Sequence, residues 1–423
     1  MLKKLLLSIA LASTYVASSS ASDTVTLGLN YPETGPYEVQ GLAQMRAAQM
    51  AVDEINAQGG ILGKQVTLST RDTKSQAPLS AENVADLIEN DNAKMIFGGS
   101  SSGVAVASGL AAKERDTLYF GTLTYSNTVT GAKGHTHMFR ECYNAWMAAK
   151  VLSDYLKENF AGKKYFYVTA DYNWGWSTEE SIRIFSGTED ENKFKRVLTP
   201  FPGAKDADFR KALTLAKANK PDVLVLVLFG NDMAKGLSIA TSMGLKRDME
   251  IVVPNLTLGM AESAGPKVME GVVGALPWTW KVPELTGSEK GKAFVANFAE
   301  KHQSYPSTSA ASAYSIVYQY KDAVERAGTF ETAAVREALS GHSYSLLKDE
   351  QTWRDFDQQN VQTVYAVKGK PQAEVLKDKF KQDYFDIIAS MPGDQAARTK
   401  EEWVQAREAA GAPDTLQYAL NIE

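Results

Sequence analysis

The sequence predicts an α/β protein made of two doubly wound bodies, each a parallel sheet covered by helices on both faces. Three observations carry this. Strand-like and amphipathic helix-like segments alternate along most of the chain. The strands are short, uninterrupted apolar runs such as "PDVLVLVLF" (221–229), as expected where both faces of a sheet are covered. And 423 residues exceed what one hydrophobic core usually organises.

The elements follow in order. "TVTLGLN" alternates as a strand, and "GLAQMRAAQMAVDEIN" sets Leu42, Met45, Ala48, Val52 and Ile55 at helical spacing until Gly59 and Gly60 stop it. Strand "KQVTLST", helix "PLSAENVADLIEN", strand "AKMIFGG", helix "SGVAVASGLAAKERD" and strand "TLYFGT" complete a first run, about 24–142. A second run, about 143–275, opens with helix "NAWMAAKVLSDYLKENF" and strand "KKYFYVTA". Helix "STEESIRIFSG", strand "KRVLTP", helix "DADFRKALTLAKAN", the apolar strand, helix "NDMAKGLSIATSMG" and strand "MEIVVPN" follow. Strand "GVVGALPWTW", three helices between 290 and 340 and strand "VQTVYAVKG" come next, and beyond about Lys370 the chain is charged and helix-prone.

Composition narrows the function. Apolar content of 44%, charged content of 22% and a formal charge of −5 describe an ordinary globular protein with no reason to seek nucleic acid or an anionic membrane. Residues 1–21 carry Lys3 and Lys4, an apolar stretch from Leu5 to Ala12, and small residues Ser19 and Ala21: a secretory signal peptide, too short to span a membrane, with the mature chain starting at Ser22. No Cys near that site suggests a lipid anchor. Cys142 is the single cysteine, so no internal disulfide forms and a buried small hydrophobe is expected. No nucleophile elbow, zinc-protease, Walker or dinucleotide motif occurs, and "HTH" (135–137) lacks further ligands at metal-site spacing. Neither catalysis, metal nor cofactor is expected.

Ligands of open parallel sheets sit beyond the carboxyl ends of strands, and three such places are unusual. In "FGGSSSGVAVA" (97–107) two glycines turn the backbone and three hydroxyls precede a helix, a plain N-cap or a carboxylate site. "GTLTYSNTVTG" (121–131) offers Thr122, Thr124, Ser126 and Asn127, though such loops are common. "TADYNWGW" (169–176) places Tyr172, Trp174 and Trp176 on what reads as a loop, a wall for an apolar or planar ligand.

The order of motifs "TGPYEVQG", "AVDEINAQGGILGKQV", "RDTKSQAP", "FGGSSSGVAVA", "DYNWG", "DFRKALTLAKANKPDVLVLV" and "GVVGALPWTW" resembles the periplasmic solute-binding proteins of branched-chain-amino-acid-type ABC importers over about residues 24–370. The resemblance implies a type I periplasmic-binding fold: two lobes joined by a three-segment hinge near Cys142, Pro277 and Leu347. Lobe 1 would be 23–142 plus 278–347, and lobe 2 143–277 plus 348–423 with a C-terminal extension. It implies a monomer in the periplasm that closes on a small-molecule ligand and is read by membrane permease subunits, with a ligand-sensing module for a signalling receptor as the alternative. Carried over by position, the carboxylate grip falls on Ser101, Ser102, Thr124 and Ser126, with Tyr37 and Gln40 covering the ligand. Tyr172, Trp174 and Phe229 would wall it from lobe 2, and Trp278, with Trp280, would line it at the return crossing. Where relatives place an acid for an α-ammonium this chain has Asn255, Asp171 being a possible substitute, and Ser309 implies a roomier pocket. Branched-chain or related amino acids and aromatic or aliphatic acids are both expected candidates.

Overall fold

The computed structural model describes residues 24–417, so the expected signal segment 1–21 and residues 418–423 lie outside the described residues. The first sheet holds β1 (Thr24–Tyr31), β2 (Gln65–Asp72), β3 (Ala93–Gly98), β4 (Leu118–Gly121) and β5 (Met138–Arg140), in order β2-β1-β3-β4-β5 and wholly parallel. The second holds β6 (Tyr165–Ala170), β7 (Arg196–Thr199), β8 (Val223–Val227), β9 (Glu250–Val253) and β10 (Val273–Leu276), mutually parallel. Three short strands, β11 (Ser343–Tyr344), β12 (Gln351–Trp353) and β13 (Asn360–Val361), form a separate antiparallel ribbon. β14 (Val364–Gly369) and β15 (Phe385–Met391) then extend the second sheet with antiparallel edges, giving β15-β14-β10-β9-β8-β6-β7. β15 was not expected: its alternating burial, one face only covered, leaves a weak apolar signal in "FDIIASM".

The strand order reverses at β1/β3 in the first sheet and at β6/β8 in the second. These are the switch points where crossover helices leave to opposite faces and open a crevice at the carboxyl ends of the strands. The loops after β1, β3, β4, β6, β8 and β9 therefore converge. The turn after β3 depends on glycine: Gly98 and Gly99 have φ of 120° and 89°, and a Cβ on Gly99 would collide with the Tyr119 hydroxyl.

The chain passes between the two bodies repeatedly. Helix Ala145–Phe160 packs on β10 and β14 immediately after β5. Helix Thr308–Ala327 returns to lie along helix Glu38–Ala57 of the first body. Glu141, Cys142, Pro277, Trp278, Leu347, Lys348 and Gln362 then meet around a cavity of about 20 Å³. Lys348 Nζ donates to the carbonyls of Pro277 (2.6 Å) and Thr363 (2.6 Å), and Gln362 Nε2 donates to that of Glu141 (2.7 Å), so three passages are tied together.

A further passage was not expected. The family resemblance places residues 348–423 with the second body, whereas helix Lys400–Ala409 packs on loop 126–134 of the first. Trp403 Nε1 donates to Thr130 O at 2.8 Å, and Arg407 donates to the carbonyls of Gly131 and Gly134. Thr399 caps this helix in a reciprocal box with Glu402. Among the described residues no helix is long and apolar enough to cross a membrane.

Candidate ligand site

From the first body, Ser101 is the N-cap residue of helix Ser102–Lys113, yet its side chain makes no cap bond. The plain capping role is thus absent, and the first-turn amides of that helix have no intrahelical acceptor. Ser102 Oγ and Thr124 Oγ1 are buried without a partner. Buried hydroxyls are ordinarily satisfied, so such groups need an explanation. Ser126 Oγ donates to Asn173 Oδ1 of the second body.

From the second body comes a cluster of rings. Phe229 stands edge-on to Trp174 (5.7 Å between centroids), Tyr37 (5.5 Å) and Tyr125 (5.5 Å). Tyr172 stacks on Phe201 at 3.9 Å and tilts toward Trp174 at 5.7 Å, while Tyr125 meets Tyr143 at 5.2 Å. Trp174 is 3% exposed, and its indole N–H has no acceptor.

The two bodies touch here directly. The hydroxyls of Tyr37 and Tyr172 are 2.9 Å apart, Asn127 Nδ2 donates to Ser181 Oγ (3.0 Å), and Asn231 N donates to Pro36 O (3.3 Å). Gly230 permits this approach, since a Cβ there would sit 2.6 Å from both Pro36 O and the Tyr37 ring. Gln40, buried in the first body, reaches Thr257 Oγ1 at 3.4 Å.

Asn255 is fully buried; its Nδ2 donates to Tyr143 Oη at 2.8 Å, and its Oδ1 has no partner. Asp171 is exposed and accepts from Trp176 Nε1 at 3.0 Å, so it is no substitute acid. Asp232 acts on the hydroxyls of Tyr37 and Tyr172, and burial pushes its carboxyl up to about 6. Ser309 is buried, with its hydroxyl beside that of Tyr125.

Two expectations need correction. "DYNWGW" is not a loop: Asn173 opens helix Asn173–Ser186, with Tyr172 as its N-cap residue. Trp174 and Trp176, two residues apart, therefore face opposite ways, and Trp176 is 47% exposed. Trp278 does not join the rings: its N–H donates to Leu347 O (3.3 Å), it packs on Phe294, and it lines the small cavity between the chain passages. Trp280 stacks on Tyr305 instead. Ser101, Ser102, Thr124, Ser126, Tyr37, Tyr172, Trp174 and Phe229 all lie on the segments that follow β1, β3, β4, β6 and β8.

Tyr125, Tyr143 and Phe201 were missed. Phe201 follows β7 in "TPFP", so the strand-end rule that found the other loops could have found it. Cys142 is buried, and burial lifts its thiol to about 12, as a packing role requires. His137 pairs with Asp116 (2.8 Å), burial pulls His135 down to about 3, and no group of three metal-ligating side chains exists among the described residues.

Residues 24–374 match the family model described as periplasmic binding protein. The chain belongs to that family. The Leu/Ile/Val-binding protein BraC3 of Rhizobium johnstonii is 28% identical over 339 residues, covering 78% of this chain and 88% of the relative. A periplasmic binding protein from Burkholderia mallei superposes with a TM-score of 0.80 at 23% identity, covering 90% of this chain and 98% of the other. A solute-binding protein of an ABC transporter from Rhodopseudomonas palustris BisB5, in complex with 3,4-dihydroxybenzoic acid, reaches 0.76 at 18% identity, covering 88% and 98%. The two-sheet arrangement is the type I periplasmic-binding fold of these neighbours. The family consists of periplasmic solute-binding proteins that serve ABC transporter permeases; they are not enzymes.

Proposed function

We propose that this protein captures a small carboxylate-bearing solute between its two lobes by hinge closure and presents the closed form to an ABC permease. The observation that carries the reading is the pair of buried hydroxyls without a hydrogen-bond partner, Ser102 Oγ and Thr124 Oγ1, on the segments after β3 and β4, in a molecule whose other lobe sets a ring cluster at its own strand ends. A carboxylate has the acceptor capacity to satisfy both hydroxyls and the open amides of helix Ser102–Lys113, and hydrogen bonds to an ionised group are the strong ones. The rings of Trp174, Phe229 and Tyr172 then exclude water from the remainder of the ligand.

The reading favours a neutral-tailed acid, aliphatic or aromatic. Asn255 is an amide where an α-ammonium would need an anion, and a buried ammonium without one is costly. The Asn Oδ1 accepts hydrogen bonds but does not neutralise charge. The names of BraC3 and of the dihydroxybenzoate complex make branched-chain amino acids and aromatic acids the two classes to compare. Residues 1–21 are read as the export signal, and the chain as a monomer.

A thermal-shift screen over leucine, isovalerate, benzoate and hydroxybenzoates identifies the class, since a bound ligand raises the melting temperature by mass action. Ser102→Ala with Thr124→Ala should then weaken the hit by about 1.5–3 kcal/mol per lost bond in calorimetry, without unfolding the protein. Unchanged affinity removes the proposed grip.

A further inference from the structure

Behind the grip lies a cation that never reaches the cleft. Arg140, at the end of β5, is 1% exposed. Its Nη1 donates to the carbonyls of Ser126 and Thr124 (3.3 Å for the latter), its Nη2 to Thr130 Oγ1 (2.7 Å), and its Nε to Gln359 Oε1 (2.6 Å). Gln359 in turn donates to Cys142 O (2.9 Å) and accepts from Asn144 Nδ2 (3.3 Å), where the chain first leaves the first body. One guanidinium thus holds three points of the loop 124–130 and ties them to the chain passage.

Its charge has no direct ion-pair partner among the described residues. The acid that acts on it, Asp357, is engaged by Arg354 Nε (2.8 Å) and Nη2 (2.5 Å), and Arg354 Nη1 donates to Arg398 O (2.5 Å). Asp357 is thus shared between Arg354, which it pairs with directly, and Arg140, while the charges of Arg354 and Arg398 act against that of Arg140. Glu141, the adjacent acid, hydrogen-bonds Ser312 and is pushed by burial up to about 7. Burial pulls Arg140 down to about 10, which leaves it charged at neutral pH.

We propose that Arg140 is the positioning residue that makes the site prefer an anion: its buried charge, one loop thickness behind Thr124 and Ser126, is balanced by the carboxylate of the ligand. This rests on the carboxylate reading above. The geometry gives two parts to the effect. Carbonyls of Thr124 and Ser126 turned toward the guanidinium leave the next amide N–H groups, those of Tyr125 and Asn127, pointing the other way, because a trans peptide sets C=O and N–H antiparallel. The charge itself acts across a dry loop, where Coulomb interactions are screened far less than in water.

The test measures preference rather than affinity alone. Calorimetry compares acid and amide pairs, benzoate with benzamide, isovalerate with isovaleramide and leucine with leucinamide, on wild type and variants. Arg140→Met should lower the acid-over-amide preference at least tenfold (about 1.4 kcal/mol), and Arg140→Lys should restore part of it. Asp357→Asn, which removes the opposing carboxylate and leaves Arg140 untouched, should raise the preference; it also serves if Arg140→Met does not fold. A merely structural role predicts equal losses on acid and amide with Arg140→Met, or no change of preference with Asp357→Asn, and either result overturns the proposal. A wild type that binds no acid, or binds acid and amide alike, overturns the carboxylate reading itself.

Discussion

Tyr37 offers a direct test of closure. Its ring belongs to the first lobe, is 1% exposed, and packs on Phe201 and Phe229 of the second, with its hydroxyl on that of Tyr172. It precedes helix Glu38–Ala57 without capping it, so Tyr37→Ala does not remove a helix cap. A buried aromatic ring covers roughly 150–200 Å², which at about 25 cal/mol per Å² stabilises the packed state by about 4–5 kcal/mol. The hydroxyl pair adds about 1 kcal/mol. If the lobes separate, the open form never had these contacts, and the loss falls on the open–closed equilibrium. Removing about 4 kcal/mol of closure weakens ligand binding about a thousandfold, because apparent affinity scales with the competent fraction. Calorimetry gives the affinity, small-angle X-ray scattering gives the compaction on ligand addition, and calorimetric melting of the ligand-free protein gives the fold stability. The expected outcome is a large loss of affinity and of ligand-induced compaction, with melting lowered by only a few degrees. A melting temperature that collapses as for a core Tyr→Ala, with affinity and compaction of the surviving protein intact, would refute the closure argument.

Other expectations follow from particular side chains. Asn255→Asp places an anion beside the Tyr143 hydroxyl and should shift selectivity toward leucine over isovalerate by at least tenfold, at a cost of about 1–3 kcal/mol in unliganded stability; parallel changes for both ligands would count against the neutral-tail reading. Glu141, lifted by burial to about 7 from an ordinary 4.5, holds more protons folded than unfolded between those values. Its contribution is therefore present below about pH 4.5 and is lost as pH rises through 7, by up to about 3 kcal/mol. Glu141→Gln should flatten the fall in melting temperature across that window, and an unaltered pH profile would contradict the assignment. Trp403→Ala should destabilise the protein by about 3–5 kcal/mol. It should also speed amide exchange in 126–137, because the Thr130 carbonyl loses its donor and Phe356 its edge contact; exchange that does not change would mean the tail helix does not brace the loop.

What was legible in the sequence was local. Apolar runs such as Val223–Val227 and the helices that separate them announce a covered parallel sheet, and Gly98 and Gly99 announce a turn no other residue makes easily. Because ligand loops follow strands in this architecture, the segments that hold Ser102 and Thr124 stand out in the sequence as candidates, and Phe229 joins them through the family resemblance. The misreadings concern contacts that sequence does not order. Three aromatics in five residues looked like a loop, but helical phase sends Trp174 inward and Trp176 to solvent. Trp278 is adjacent in sequence to the return crossing, and its indole chose the Leu347 carbonyl. Arg140 joins Thr124, Thr130 and Gln359 across up to 219 positions, a network with no local pattern. The return of helix Lys400–Ala409 to the first lobe was hidden for the same reason: Trp403 and Arg407 find carbonyls more than 270 residues away.

The most direct measurement is a crystal structure with the acid that the thermal screen selects. Its carboxylate is expected within hydrogen-bond reach of Ser102 Oγ and Thr124 Oγ1, with the tail against Trp174 and Phe229. Ligand found elsewhere, such as in the groove between Arg336 and Leu416, or seated with its carboxylate toward the rings, would contradict it.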